Sequence, residues 1–201
     1  MEEQIMCKRM VIILAILLAV GFSSPVKATP YTFQPNPVNL YNLDHGQYYK
    51  WGINWTVPNG EVITGATLFF NDIRNWDSNP NDLWVHLLPA ATSGVTVKWD
   101  GQANGDAFDG QGTLLAHYHN LSNHAQDITY TFLDQDLAAL ISAVADGNFG
   151  LGFDPDCHYW NNGVTLTIEA GSNPVPEPAT MFLFGTGLVG FAGFSLKRIK
   201  K

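Results

Sequence analysis

Oxygen-bearing side chains on a glycine-rich stretch are the residues of this chain best suited by type and spacing to chemistry. Asp100-Gly101-Gln102-Ala103-Asn104-Gly105-Asp106-Ala107-Phe108-Asp109-Gly110 carries Asp100, Asn104, Asp106 and Asp109 as hard ligands on a backbone free to curl around a cation. Calcium takes about six to eight such oxygens. Asp154-Pro155-Asp156 is a second candidate, because alternate residues of an extended segment point the same way. Neither stretch follows EF-hand spacing, so the expectation is calcium held by Asp100, Asn104, Asp106, Asp109, Asp154 and Asp156 outside that motif.

Of the six histidines, His117 and His119 stand two apart in a strand-like run and face the same side, a geometry able to hold a transition metal. No third ligand stands at a motif-like spacing from them. Other catalytic constellations are incomplete. There is no Gly-x-Ser-x-Gly elbow, and Cys157 beside His158 lacks a recognisable nucleophilic context. A glycosidase needs two carboxylates across a cleft, and a chain this acidic offers such pairs without specificity. The chain therefore reads as a non-enzyme, with a secreted hydrolase as the weakest alternative.

The elements that must position these residues are strands. Tyr49, Trp51, Ile53, Trp55 and Val57 alternate with Lys50, Gly52, Asn54 and Thr56, which places the large apolar groups on one face. Similar runs occur at 66–70, 83–88, 95–99, 113–118, 128–133, 149–153 and 164–168. Turn formers such as Pro58-Asn59-Gly60, Asn79-Pro80-Asn81-Asp82, Asp146-Gly147 and Asn162-Gly163 separate them. About eight strands at this spacing predict an all-β, two-sheet, jelly-roll-like sandwich. One short helix interrupts them, with Asp134 as its cap, Leu137, Ala138, Leu140, Ile141 and Val144 as its apolar positions, and Asp146-Gly147 as its end.

The six tryptophans, Trp51, Trp55, Trp76, Trp84, Trp99 and Trp160, all lie in this middle region. The alternation around Trp51 and Trp55 predicts that most are core. Two or three exposed indoles would instead favour a carbohydrate-binding module on the same scaffold.

Both ends read as export signals. Lys8 and Arg9 precede the apolar run Met10 to Phe22, and Val26-Lys27-Ala28 follows, so residues 1–28 read as a signal peptide for the translocase, cleaved by signal peptidase after Ala28. At about 13 residues the run is shorter than the roughly 20 that span a bilayer. At the other end, Ala179 to Leu196 is uncharged and is followed by Lys197, Arg198, Lys200 and Lys201. That is a transmembrane helix whose basic stub stays in the cytoplasm. Gly185-Thr186-Gly187-Leu188-Val189-Gly190 matches a dinucleotide-loop pattern, but no strand precedes it, and its glycines read as a close-contact face of the membrane helix.

Between these ends, residues 29–170 form the ectodomain and 171–175 a linker. The ectodomain has fifteen acidic residues against Lys50, Arg74 and Lys98, a net charge of −12, more acidic than the −8 of the whole chain. Such a surface excludes nucleic acid, which demands clustered Lys and Arg. Cys7 leaves with the signal peptide, so Cys157 has no disulfide partner in the mature domain.

Residues 176–201 carry a family resemblance. Pro176-Glu177-Pro178, one apolar helix and the basic residues Lys197, Arg198, Lys200 and Lys201 resemble the PEP-CTERM sorting signal of exosortase substrates. The resemblance implies that exosortase recognises the tail, cleaves near Pro176 to Pro178, and passes the protein from the inner membrane to the cell surface or matrix. It also implies association with exopolysaccharide and biofilm. Asn79-Pro80-Asn81-Asp82 and Asn148 to Tyr159 look like stretches of ectodomains in the same group, with no activity attached.

Overall fold

Side chains that alternate between apolar and polar can bury one face of a strand while wetting the other, and two such faces must meet. The computed structural model describes residues 28–100 and 105–172, which contain the strands β1 (Ala28–Phe33), β2 (Gln47–Asn54), β3 (Glu61–Asn75), β4 (Asp82–Leu88), β5 (Gly94–Trp99), β6 (Thr113–His119), β7 (Gln126–Thr131), β8 (Asn148–Pro155), β9 (Tyr159–Trp160) and β10 (Gly163–Ser172). Helix α1 (Asp134–Val144) lies between β7 and β8. One sheet has the order β1-β10-β3-β7 with β9 added on β3; the other has the order β5-β2-β8-β4-β6.

All these pairings are antiparallel. With β5 and β9 set aside, β1 pairs with β10, β2 with β8, β3 with β7 and β4 with β6. Such nesting is one long antiparallel hairpin rolled across two sheets, the jelly roll expected from the spacing of strands and turns.

The core lies between the sheets. Tyr49, Trp51 and Ile53 of β2, Leu83, Val85 and Leu87 of β4, and Phe149, Leu151 and Phe153 of β8 face Leu68 and Phe70 of β3 and Leu166 and Ile168 of β10. Phe70 meets Phe153 edge to face at 6.0 Å. Each such buried side chain stabilises by roughly 1.5–3 kcal/mol. A bulge between Phe70 and Ile73 shifts the alternation by one, so that Ile73 and Asn75 also turn inward.

Three features differ from the sequence expectation. Strand β1 was not foreseen; its ladder is made by β10, with Ala28 opposite Gly171, so the expected cleavage junction after Ala28 falls at its first residue. Short β9 also escaped the pattern. Asp134 does not cap the helix: it lies inside the first turn, the cap position is the extended Leu133, and no side chain bonds there. Asp134 and Asp136 instead place negative charge in the first turn, where the helix dipole favours it. The helix ends at Val144, and the chain turns away at the expected Asp146-Gly147, where Gly147 has a φ of 77° that suits glycine and its N–H bonds Val144 O at 2.9 Å.

The outer face of the second sheet is covered where β8 has no side chain to present. Phe108 lies over Gly152; a Cβ there would meet the Phe108 ring at 2.8 Å. Tyr48 packs edge-on to Phe108 at 5.3 Å, and the Lys50 ammonium stands 5.5 Å from its centre. The segment 105–112 is thereby laid across β8.

All of the expected signal peptide 1–28 except Ala28, the expected transmembrane helix 179–196 and the sorting residues Pro176, Glu177, Pro178, Lys197, Arg198, Lys200 and Lys201 lie outside the described residues, as does Asn104. Among the described residues no helix is long and apolar enough to cross a membrane.

Candidate functional site

At one end of the second sheet the register gathers residues from three strands. Trp84 of β4 stands between Asp154 of β8 and His117 of β6, and Asp82 stands opposite His119. The described part of the acidic stretch, from Gly105 on, reaches the same end through a 2.6 Å bond from Ala107 N–H to Asp154 Oδ2. The two stretches singled out for calcium are therefore neighbours in space.

Asp154 is the centre of this acidic group. Its relative exposure is 0%, and its second oxygen, Oδ1, is buried with no N–H or O–H donor among the described residues. The carboxyl of Asp100 interacts with it, and a hydrogen bond between two carboxyls exists only while one holds a proton. Burial, opposed by the Ala107 N–H and reinforced by the charges of Asp100 and Asp156, pushes the Asp154 carboxyl up to about 7. Burial and the charges of Asp82 and Asp100 push Asp156 up to about 6, against the backbone of Gly105 and the charge of His117. Carboxyls crowded in this way hold either protons or a cation.

The other expected calcium ligands serve different roles. Asp106 accepts from Phe108 N–H at 2.8 Å and meets His86 Nε2 at 2.7 Å. The other nitrogen of His86 lies 3.2 Å from Gln111 O, so this buried ring clips the loop to β4 at two points. Asp109 is exposed at the loop surface. Asp100, Asp154 and Asp156 are thus the expected ligands that converge.

Beside them the histidine pair finds the partner that sequence spacing did not reveal. His117 Nε2 lies 2.9 Å from Asp82 Oδ1, and His119 Nδ1 touches the same oxygen. Asp82 is held in place by its neighbour Asn81, a buried amide whose hydrogen-bonding groups are all occupied. Asn81 Oδ1 accepts from Tyr159 O–H and Leu121 N–H, both at 2.8 Å, while its amide donates to Asn79 O and Leu121 O. Asn79-Pro80-Asn81-Asp82 is therefore a structural knot that aims one carboxylate.

The tryptophans depart from expectation: among Trp51, Trp55, Trp76, Trp84, Trp99 and Trp160 only Trp51 is fully buried. Trp76 is 61% exposed, Trp160 48% and Trp99 65%. Trp76 and Trp160 lie near each other, since Trp76 N–H bonds His158 O at 3.0 Å; the Arg74 guanidinium lies 5.2 Å over the Trp160 ring.

The site belongs to a jelly-roll protein with an acidic, histidine-bearing sheet end. The class is completed by its tail: residues 174–198 match the family model of the PEP-CTERM protein-sorting motif, so the chain carries the signal of an exosortase-dependent exported protein. That signal marks a protein anchored in the membrane before exosortase processes it.

No curated protein matches the chain by sequence. Among solved structures, latent aurone synthase, a polyphenol oxidase, is similar at 9% identity and a TM-score of 0.39, over 76% of this chain and 28% of that one. The structure of tomato aspermy virus is similar at 11% identity and a TM-score of 0.33, over 84% and 97% of the two chains. The Anabaena sensory rhodopsin transducer matches at 8% identity and a TM-score of 0.27, over 61% and 95%. None of these similarities bears on what the chain does.

Proposed function

We propose that exosortase delivers this protein to the cell surface, where its jelly roll works as a non-catalytic component of the exopolysaccharide matrix. The observation that carries the reading is the sorting motif beginning at residue 174, two residues after β10 ends at Ser172. Signal peptidase cleavage after Ala28 leaves Thr29 as the first residue of the mature domain, still within β1. Exosortase cleavage at the far end frees a domain whose first and last strands pair with each other.

The test is fractionation of the native host. The protein should leave with the polysaccharide when washed cells are stripped of matrix, and should stay in the inner membrane of a strain lacking the sorting enzyme. Retention in the inner membrane of wild-type cells would sink the proposal.

Calcium belongs to the same reading. The buried Oδ1 of Asp154, with no donor among the described residues, favours a cation bound among Asp100, Asp154 and Asp156 that ties the segment around Ala107 to β8. A second reading, sugar binding by the domain, is favoured by the exposed indoles of Trp76 and Trp160 with Arg74 stacked on the latter. Affinity electrophoresis in neutral and acidic polysaccharide gels checks it: retardation abolished by Trp76→Ala or Trp160→Ala supports it, and migration unaffected by any polysaccharide rejects it.

A further inference from the structure

The Asp82, His117 and His119 cluster has a geometry that the sorting signal and the calcium reading do not use. One ligand atom from each of the three residues lies within 4.8 Å of the other two, a spacing that a single ion can bridge. Both imidazoles converge on one oxygen, Asp82 Oδ1, and their ring centres are only 3.7 Å apart. Each ligand has a reason to be where it is. Asp82 and His119 are a cross-strand pair, His117 is two residues earlier on the same face of β6, and Asn81 fixes the turn that precedes β4.

His117 is held further. Its ring stacks on Trp84 with centres 4.5 Å apart and planes inclined by 20°, so it does not have to be ordered when an ion arrives. A second carboxylate stands close, because Asp156 N–H bonds Asp82 O at 2.9 Å and the Asp156 carboxyl feels the charges of both Asp82 and His117. His119 is 62% exposed, so the cluster opens to solvent and leaves coordination positions for water.

We propose that Asp82, His117 and His119 bind a divalent transition-metal ion of the zinc, nickel and copper class, each through one donor atom. Two imidazoles and one carboxylate suit that class, whereas calcium and magnesium select all-oxygen sets. The rival description is a surface ion pair between the aspartate and the two rings, worth about 0–1 kcal/mol and indifferent to metal. The metal site is independent of how the protein is sorted, and its test does not touch export.

The full chain, purified in detergent without a histidine tag and with calcium in excess, is titrated calorimetrically with zinc chloride and, separately, with copper chloride while indole fluorescence is followed. One zinc per chain is expected, with copper quenching Trp84 across its stacked neighbour. His119→Ala, at an exposed position, should leave the circular dichroism unchanged and weaken zinc by at least the roughly 10- to 100-fold that loss of a ligand's supporting partner costs. The exposed His124→Ala should leave zinc binding unchanged. No zinc uptake by the wild-type chain, or uptake in His119→Ala equal to wild type, would overturn the proposal.

Discussion

Asp154→Asn isolates the cost of a carboxylate that the jelly roll holds out of water. The replacement keeps an oxygen for the Ala107 N–H and places an amide donor where Oδ1 now has none. In the metal-free protein the carboxyl is raised from 3.8 to about 7. The folded state therefore keeps its proton longer than the unfolded chain does. The resulting stability is fully present below the unfolded value and is lost as pH rises through the folded one.

At 1.36 kcal/mol per unit, the roughly three-unit shift is a penalty of about 4 kcal/mol at about pH 8, falling below about 1 kcal/mol near pH 4. Asn carries no such penalty. The assay is thermal unfolding of wild type and Asp154→Asn in a chelator at both pH values. The variant should melt roughly 10 °C higher at the alkaline pH and within a few degrees of wild type at the acidic one. Adding calcium at the alkaline pH should raise the wild type and leave the variant unmoved, because the ion takes the place of the missing proton. A variant no more stable than wild type at the alkaline pH, or a gain equal at both, would refute the reasoning.

Other perturbations test the supports of the site. Asn81→Ala strands the Tyr159 hydroxyl and the Leu121 N–H and should cost about 2–3 kcal/mol in denaturant unfolding. It should also weaken any zinc bound beside it, since Asp82 loses its anchor. Phe108→Ala should cost about 3–5 kcal/mol and speed proteolytic cutting within 105–112, because the ring is what lays that segment on β8. Gly152→Ala drives a methyl into the same ring and should cost about 1–3 kcal/mol by the same unfolding assay.

How far the sequence reached depends on the range of the physics. Period-two alternation marks strands locally, so β2 is legible from Tyr49, Trp51 and Ile53, and β4, β6 and β8 from the runs at 83–88, 113–118 and 149–153. Strand β1 was not, because Ala28 to Phe33 lacks strong alternation and acquires its ladder from β10, more than a hundred residues away. The helix was legible from Leu137, Leu140 and Val144, but its first turn was not: Asp134 resembles a cap by type, while the backbone placed the cap one residue earlier.

At the site, the His117 and His119 pair was visible in a single strand. Asp82 was not, since it joins them through the register of β4 against β6. Likewise Asp100 and Asp154 were visible as two separate acidic stretches, and only the closure of the loop over β8 made them one cluster. The tryptophans misled for a related reason: alternation shows which side a residue faces, and Trp76, Trp99 and Trp160 sit at strand ends, where no second layer covers them.

The C-terminal mass of the mature protein, measured in its native host and in a strain without the sorting enzyme, tests exosortase processing most directly. The wild-type host should yield a chain that ends near Pro176 to Pro178, and the mutant a chain that still carries Lys201. The same intact mass from both strains would contradict the account.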